Sequence, residues 1–324
     1  MSKWTAADIP DLSNTLAIVT GANSGLGLET TRALARKGAK VVMACRTESK
    51  ARAALDELIG DGIEPELLEF RALDLSSLAS IRGFAEGFRA DYSSVDLLIN
   101  NAGVMALPYG QTADGFEMQI GTNHLGHFAL TGRLLEPLLA SCGARVVTVS
   151  SVMHRLGSIR FDDLHWADGY RNWLAYGQSK LANLLFCFEL QRRLDAAGPF
   201  AQELVSVAAH PGYASTNLAT VGPRMTGSKL VERVTLLGAR LGAQDAASGA
   251  LPTLYAATAV NMAGGEYFGP SGIMEMRGAP KRVEARPKAY DREVARRLWE
   301  LSVELTEVDY AALAPERAAV HSRA

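Results

Sequence analysis

What the sequence has little of removes several classes of protein at once. Only three cysteines occur, Cys45, Cys142 and Cys187, far apart and with no C-x-x-C pair. That argues against a disulfide framework or a cysteine-based zinc site and fits a reducing cytoplasm. No apolar run reaches the ~20 residues that span a bilayer. Met1 to Asn14 carries Lys3, Asp8 and Asp11 and no apolar core, so it reads neither as a signal peptide nor as a membrane anchor. No block of like charge appears, and the formal net charge is -2, so no global field would gather nucleic acid or an anionic membrane. Internal repeats, low-complexity tracts and a Pro/Gly/Ser linker are all missing. The expectation is a cytoplasmic chain acting on a small molecule, with no nucleic-acid partner and no membrane anchor.

What is present is an alternation of short β-branched runs with longer amphipathic stretches. Leu16–Thr20, Lys40–Cys45, Leu67–Arg71, Val95–Asn100, Arg145–Ser150 and Leu204–Ala209 read as strands, with Glu266–Phe268 as a short last one. Helical patterns cover 25–37 (ended by Gly38), 48–58, 78–90, 114–139, 174–194, 244–258 and 290–305. This rhythm implies right-handed βαβ crossovers. The fold class expected is α/β: a single doubly wound, Rossmann-like domain with a parallel sheet of about seven strands and helices on both faces. The domain is set at 15–310, with an N-terminal extension 1–14 and a C-terminal tail 311–324. Two segments break the rhythm, His154–Trp173 and Tyr213–Ala243. The second follows the C-terminal end of a strand, where ligands sit in such folds, and reads as a substrate lid; the plain alternative is a surface excursion.

Between the first strand and first helix lies Thr20-Gly21-Ala22-Asn23-Ser24-Gly25-Leu26-Gly27. Glycines allow a tight turn and close approach to a pyrophosphate, and the helix N-terminus offers free N–H groups and partial positive charge. The spacing is T-G-x-x-x-G-x-G rather than G-x-G-x-x-G. Further on come Asn100-Asn101-Ala102-Gly103, Tyr176-Gly-Gln-Ser-Lys180 and His210-Pro211-Gly212. In this order and over most of the chain, these motifs resemble those of the short-chain dehydrogenase/reductase family. The stretches from Asn123 to Phe128 (NHLGHF), Phe161 to Leu164 (FDDL) and Ser179 to Phe186 (SKLANLLF) look more like its retinol-dehydrogenase-like branch. Trp4 to Leu12 resembles soluble bacterial relatives, and protochlorophyllide reductases are a weaker match.

The resemblance implies a nicotinamide cofactor bound by Gly21, Asn23, Ser24, Gly25, Leu26, Gly27, Arg46, Asp74, Leu75, Asn101, Ala102, Gly103, Tyr176, Lys180, Pro211, Gly212 and Thr216. An NAD enzyme of this fold carries an acidic residue at the end of the second strand. Here Cys45 takes that place and Arg46 follows, whose planar fork can pair with a 2′-phosphate. NADP(H) is therefore preferred over NAD(H). Arg46 as a solvated surface residue is the bland alternative. Asp74 is open between an adenine contact and the N-cap of the next helix.

Tyr176 and Lys180, four apart on a helical pattern, share a face. A neighbouring ammonium favours the phenolate, so Lys180 is expected to lower the pKa of Tyr176 and fit it for acid/base work. By resemblance Ser151, the second of the Ser150–Ser151 pair, polarises the substrate oxygen, although the interval to Tyr176 exceeds the usual one by the insertion 154–173. Asn123 by resemblance holds a water that links Lys180 to solvent. His124 and His127 are three apart with no carboxylate between them, so no metal site is expected. The reaction implied is hydride transfer between cofactor and a lipophilic carbonyl or alcohol, in a pocket near 104–107, 152–156, Trp173 and 213–230. A double-bond reductase and a non-catalytic NADP(H) sensor or scaffold stay open as alternatives. A homodimer or homotetramer is implied by the family's habits alone.

Overall fold

The computed structural model describes residues 3–213 and 244–313. Strands β1 (Leu16–Thr20), β2 (Lys40–Cys45), β3 (Leu68–Ala72), β4 (Leu97–Asn100), β5 (Arg145–Val149), β6 (Val205–Ala209) and β7 (Tyr267–Pro270) run parallel. An eighth, β8 (Pro280–Arg282), turns back antiparallel to β7. The order across the sheet is β3-β2-β1-β4-β5-β6-β7-β8. The expected parallel sheet is present with one strand more than the sequence suggested. Three residues that include a proline and two charges carry no alternation from which β8 could be read.

Alternation along the strands explains the two covered faces. Ile18, Val42 and Ala44 face a core shared with α3 (Leu78–Asp91), α5 (Gly126–Arg133) and α7 (Asn172–Ala197). Ala17, Val19, Val41 and Met43 face the other side, against α1 (Gly25–Ala35), α2 (Glu48–Gly60) and α8 (Ala246–Thr258). Period-two side chains with apolar residues at both parities are what a sheet buried on both faces requires. The helix expected over 114–139 is interrupted: α4 (Met118–Ile120) runs into a π-helical turn over Gly121–Leu125, then α5, then α6 (Leu135–Leu139). Pro137 and the glycines at 121, 126 and 132 lie within this stretch, and neither residue type favours an unbroken helix.

Helix α9 (Arg292–Thr306) closes over α7, with Ala295, Leu298 and Trp299 buried. The segment expected to be an N-terminal extension is docked: Ile9 and Leu12 join the core, and Leu12 N donates to the Lys37 carbonyl at 2.7 Å. At the other end, Leu313 is buried against the same core as Tyr310, so the tail is packed that far. Among the described residues no helix is long and apolar enough to cross a membrane.

Phe128 shows how tightly these layers interlock. Its ring meets those of Phe186 at 5.6 Å, Trp299 at 5.1 Å and Tyr310 at 5.0 Å. Phe128→Ala is expected to lower the unfolding free energy by about 3–5 kcal/mol in a urea titration; a loss below about 1 kcal/mol would show that this cluster does not hold α5, α7 and α9 together.

Candidate active site

The sheet order reverses between β1 and β4, so the C-terminal ends of β1, β2 and β4 open a crevice, as expected at a topological switch point. A cavity of about 590 Å³ occupies it. Two backbone turns shape its floor. Gly21 and Gly25 have φ of +66° and +55°, conformations open to glycine. A Cβ on Gly27 would run into the Gly21 carbonyl and lie 2.7 Å from Asn101 Nδ2. The turn is thus drawn so tight that only hydrogen fits. Ser24 is the N-cap of α1, yet its hydroxyl makes no capping bond. Gly21, residues 23–27 and residues 101–103 all line the cavity, as expected of a pyrophosphate cradle.

One side chain joins the two loops. Thr20 Oγ1 accepts from Asn101 N and Ala102 N, each at 2.9 Å, and lies 3.0 Å from His127 Nε2. His127 Nδ1 is 3.0 Å from the Asn123 carbonyl, which can only accept, so in the neutral ring the proton sits on Nδ1 and Nε2 is an acceptor that shares the Thr20 hydroxyl with the Ile99 carbonyl, 3.2 Å away. Burial holds the His127 pKa down to about 4, which keeps the ring neutral. Neither Thr20 nor His127 was singled out for this role from the sequence, because nothing in a helical histidine signals a partner on a distant strand.

At the far end, Arg46 lines the cavity and is exposed. Lys50, one turn along α2, lines it too and was missed; an exposed lysine on a surface helix carries no signal of its own. The Cys45 thiol sits near the N–H groups of Ala22 and Asn23, and burial pushes it up to about 11. No negative charge therefore stands at the end of β2. Asp74 and Leu75 line the cavity. Asp74 Oδ1 accepts from Ser76 N at 2.9 Å and Ser76 Oγ at 2.6 Å, and the N-cap of α3 is Ser77, accepting from Ser80 N. The capping alternative for Asp74 is thereby corrected: the Asp74-to-Ser76 turn precedes the helix instead of beginning it.

The insertion does not separate the catalytic candidates. Ser151 lies two residues past the end of β5, and its hydroxyl stands close enough to that of Tyr176 on α7 to favour the phenolate. Ser150, by contrast, is buried and donates to the Lys180 carbonyl at 2.8 Å, so the second serine of the pair is the one available. Lys180 Nζ donates to the Val149 carbonyl at 3.1 Å and lies 5.8 Å from the Tyr176 ring centroid. A Cβ on Gly103 would stand 3.5 Å from Nζ and 3.1 Å from Asn123 Oδ1, so the loop from β4 passes directly over the ammonium.

Both titrating groups are buried, and burial opposes charge. It pushes Tyr176 up to about 12, against a smaller downward pull from Ser151, and Lys180 down to about 8. The lowering expected of Tyr176 is therefore reversed in the protein alone: the ammonium lies toward the ring face, and desolvation outweighs it. Asn123 sits in the π-helical turn, a distortion frequent at functional sites. Its Nδ2 donates to Val104 O and Ser179 Oγ, each at 2.9 Å, and its Oδ1 accepts from Val104 N at 2.7 Å. Both amide hydrogens are spent, so any water at Asn123 would be held through acceptor groups alone.

The turn after β6 completes the site. Ser150 N donates to the Ala209 carbonyl at 2.8 Å, which sets His210-Pro211-Gly212 beside Ser151. Gly212 has φ +67°, and a Cβ there would approach the Glu275 carbonyl to 2.8 Å. Buried His210 accepts from Gly212 N at Nδ1 and meets Glu275 at Nε2, 3.1 Å away; Glu275 also pairs with Arg155 at 2.8 Å. Of the residues expected to bind the cofactor, Tyr176, Lys180, Pro211 and Gly212 do not line the 590 Å³ cavity. Thr216 and the lid expected over 213–243 lie outside the described residues beyond Tyr213. Of the expected pocket, Val104, Met105 and Leu107 line the cavity and 152–156 does not, while Trp173 stands half exposed beside Tyr176, ring centroids 6.3 Å apart. Among the described residues no group of three or more side chains could hold a metal.

Comparison with known proteins bears on this geometry. The sequence profile of the short chain dehydrogenase family matches residues 15–223. Human retinol dehydrogenase 12 is 42% identical over 294 residues, covering 91% of this chain and 87% of its own. Human retinol dehydrogenase 13 is 42% identical over 301 residues, covering 90% and 84%. Among solved structures, an uncharacterised protein from Mycobacterium paratuberculosis is 45% identical, with a TM-score of 0.76 and coverage of 95% of this chain and 99% of that one. A short chain dehydrogenase from Shigella flexneri, complexed with NADP, is similar in fold at 23% identity, with a TM-score of 0.59 and coverage of 79% and 97%.

Gly27→Ala tests the cradle directly. The added methyl must displace the Gly21 carbonyl, so dinucleotide affinity is expected to fall at least tenfold, about 1.4 kcal/mol or more. Titration followed by nicotinamide fluorescence measures it, and an unchanged Kd in a folded variant would refute the cradle.

Proposed function

The chain belongs to the short-chain dehydrogenase family and is an oxidoreductase of that family; on that premise we propose that it uses NADP(H) to interconvert an apolar aldehyde or ketone with its alcohol. The observation that carries this reading is the juxtaposition of the Ser151 and Tyr176 hydroxyls, with Lys180 beneath the adjoining wall of the dinucleotide cavity. The retinol dehydrogenase names of the relatives agree with an apolar alcohol–carbonyl pair.

The residues fit the cofactor. The tight turn at Gly21 and Gly27 and the uncapped α1 N-terminus suit a pyrophosphate. A neutral Cys45 beside Arg46 and Lys50 suits a 2′-phosphate, which a carboxylate at that place would repel. When bound, NADP(H) supplies or accepts the hydride. Ser151 and Tyr176 hydrogen-bond the substrate oxygen. Tyr176, a neutral phenol near pH 7 because burial raises its pKa, gives that oxygen its proton in reduction and takes one back in oxidation. Lys180 stays cationic below about pH 8 and electrostatically favours the phenolate. Glu275, His210 and Arg155 brace the 210–212 turn behind Ser151.

Tyr176→Phe is expected to leave NADPH affinity within threefold and lower carbonyl turnover by about 10²–10⁴. Undiminished turnover would end the proposal, and so would failure of wild type on every carbonyl with NADPH bound. Because the phenol must ionise to accept a proton, alcohol oxidation is expected to climb with pH through the alkaline range. Arg46→Glu is expected to shift the NADPH-over-NADH preference by roughly 10- to 100-fold toward NADH, the worth of one charge-assisted hydrogen bond; initial rates with each cofactor decide it.

A further inference from the structure

The insertion that lengthens the Ser151–Tyr176 interval is fastened to the cavity wall. Val104, Met105 and Leu107 form that wall, which begins beside Gly103 and therefore beside Lys180. Its backbone is strained: Ala106 has φ +49°, in the left-handed region that disfavours any residue with a side chain. Almost no regular backbone pairing holds this shape; side chains do. Val104 N and O both bond Asn123. Ala106 N donates to Gln119 Oε1 at 2.7 Å. The Ala106 carbonyl accepts from Asn172 Nδ2 at 3.0 Å, and the Leu107 carbonyl lies 3.0 Å from the Tyr170 hydroxyl.

The fasteners are themselves cross-braced. Gln119 Nε2 donates to the Tyr170 hydroxyl at 2.8 Å and to the Asn172 carbonyl at 2.9 Å. Gln119 and Glu117 are fully buried, and Glu117 Oε1 is 3.0 Å from the same hydroxyl. Asn172 is the first residue of α7, and Tyr176 sits one turn later on the same helix. The helix end that carries Tyr176 therefore also grips the 104–107 wall of the dinucleotide cavity.

We propose that Tyr170 and Asn172 are specificity-determining positioning residues: by buckling the insertion to the 104–107 wall, they fix the width of the passage to Tyr176 and select carbonyls by the size of their apolar substituent. This deepens the proposed reaction and rests on it. A wall held against its own backbone preference keeps one shape only while every fastener is in place. The lining side chains Val104, Met105 and Leu107 are apolar, so the substituent they measure is apolar. The insertion, on this reading, is a buckle.

The test compares linear aldehydes of increasing chain length and branched ketones with wild type, Asn172→Ala and Tyr170→Phe. The second variant deletes one hydroxyl and serves if the first does not fold. The expected result is a change of at least about fivefold in the ratio of kcat/KM for long over short aldehydes. It should arise mainly in KM, with NADPH Kd and kcat on the shortest aldehyde within twofold of wild type. Ala106→Gly added to Asn172→Ala should restore the ratio in part, because glycine adopts the wall's conformation without strain; a merely structural defect would not be rescued. Ratios within twofold of wild type in folded variants, or a uniform fall across all substrates together with NADPH affinity, overturn the buckle. Calorimetric affinities for long and short aldehydes separate the two ideas. No turnover by wild type, with affinity ratios shifted in the variants, defeats the reductase and upholds the buckle; unshifted ratios defeat the buckle.

Discussion

A single hydroxyl, that of Thr20, sits where the two halves of the site meet. Two loops arrive there from strands that are neighbours in the sheet but lie far apart in sequence. Bonds of 2.9 Å from Asn101 N and Ala102 N tie the β4 loop to the end of β1, and the neutral His127 ring carries the connection on to the Asn123 carbonyl in the π-helical turn. The Thr20 hydroxyl accepts two backbone N–H groups and keeps its own proton for the His127 ring or the Ile99 carbonyl. Buried networks of this kind, fully satisfied, rigidify what they join. The glycine turn, the 101–103 loop and the Asn123–Val104 pairing are thereby held in register before any ligand arrives.

The second constraint is desolvation. Tyr176 and Lys180 are held in neighbouring positions where each is poorer at carrying charge than it would be in water, the phenol pushed up and the ammonium down. The same burial makes the site sensitive to whatever charge enters it, because interactions in a low-dielectric environment are strong. A phenol that stays protonated near neutrality is suited to giving a proton to a carbonyl oxygen.

Much of this was legible in the sequence, and the legible parts share a cause. The strands of β1, β2 and β5 are β-branched and buried on both faces, so they read clearly. Gly21 and Gly25 mark a turn with left-handed backbone and Gly27 a place with no room for a Cβ, and Tyr176 with Lys180 marks a helix face. What did not read depends on contacts between distant segments. The break of the 114–139 helix into a π-turn, the engagement of both Asn123 amide hydrogens, and His127 bonding to Thr20 are decided by partners far along the chain. The two readings of Asp74 could not be separated for a local reason, since Ser77, three residues later, is an equally suitable cap for α3. The attachment of 154–173 to the 104–107 loop was hidden because Gln119, Tyr170 and Asn172 look like ordinary polar surface residues until the loop they bond is seen.

The short antiparallel strand β8 has a consequence for how copies of the molecule can meet. It is the last strand at one border of the sheet, and its three residues are a proline, which offers no N–H, and the exposed Lys281 and Arg282. At the opposite border, β3 presents Glu69 and Arg71, paired with each other and with Asp91. An incoming strand would find a missing donor at one margin and have to strip water from charges at both. Among the described residues, polymerisation by strand addition is therefore disfavoured at either border of the sheet.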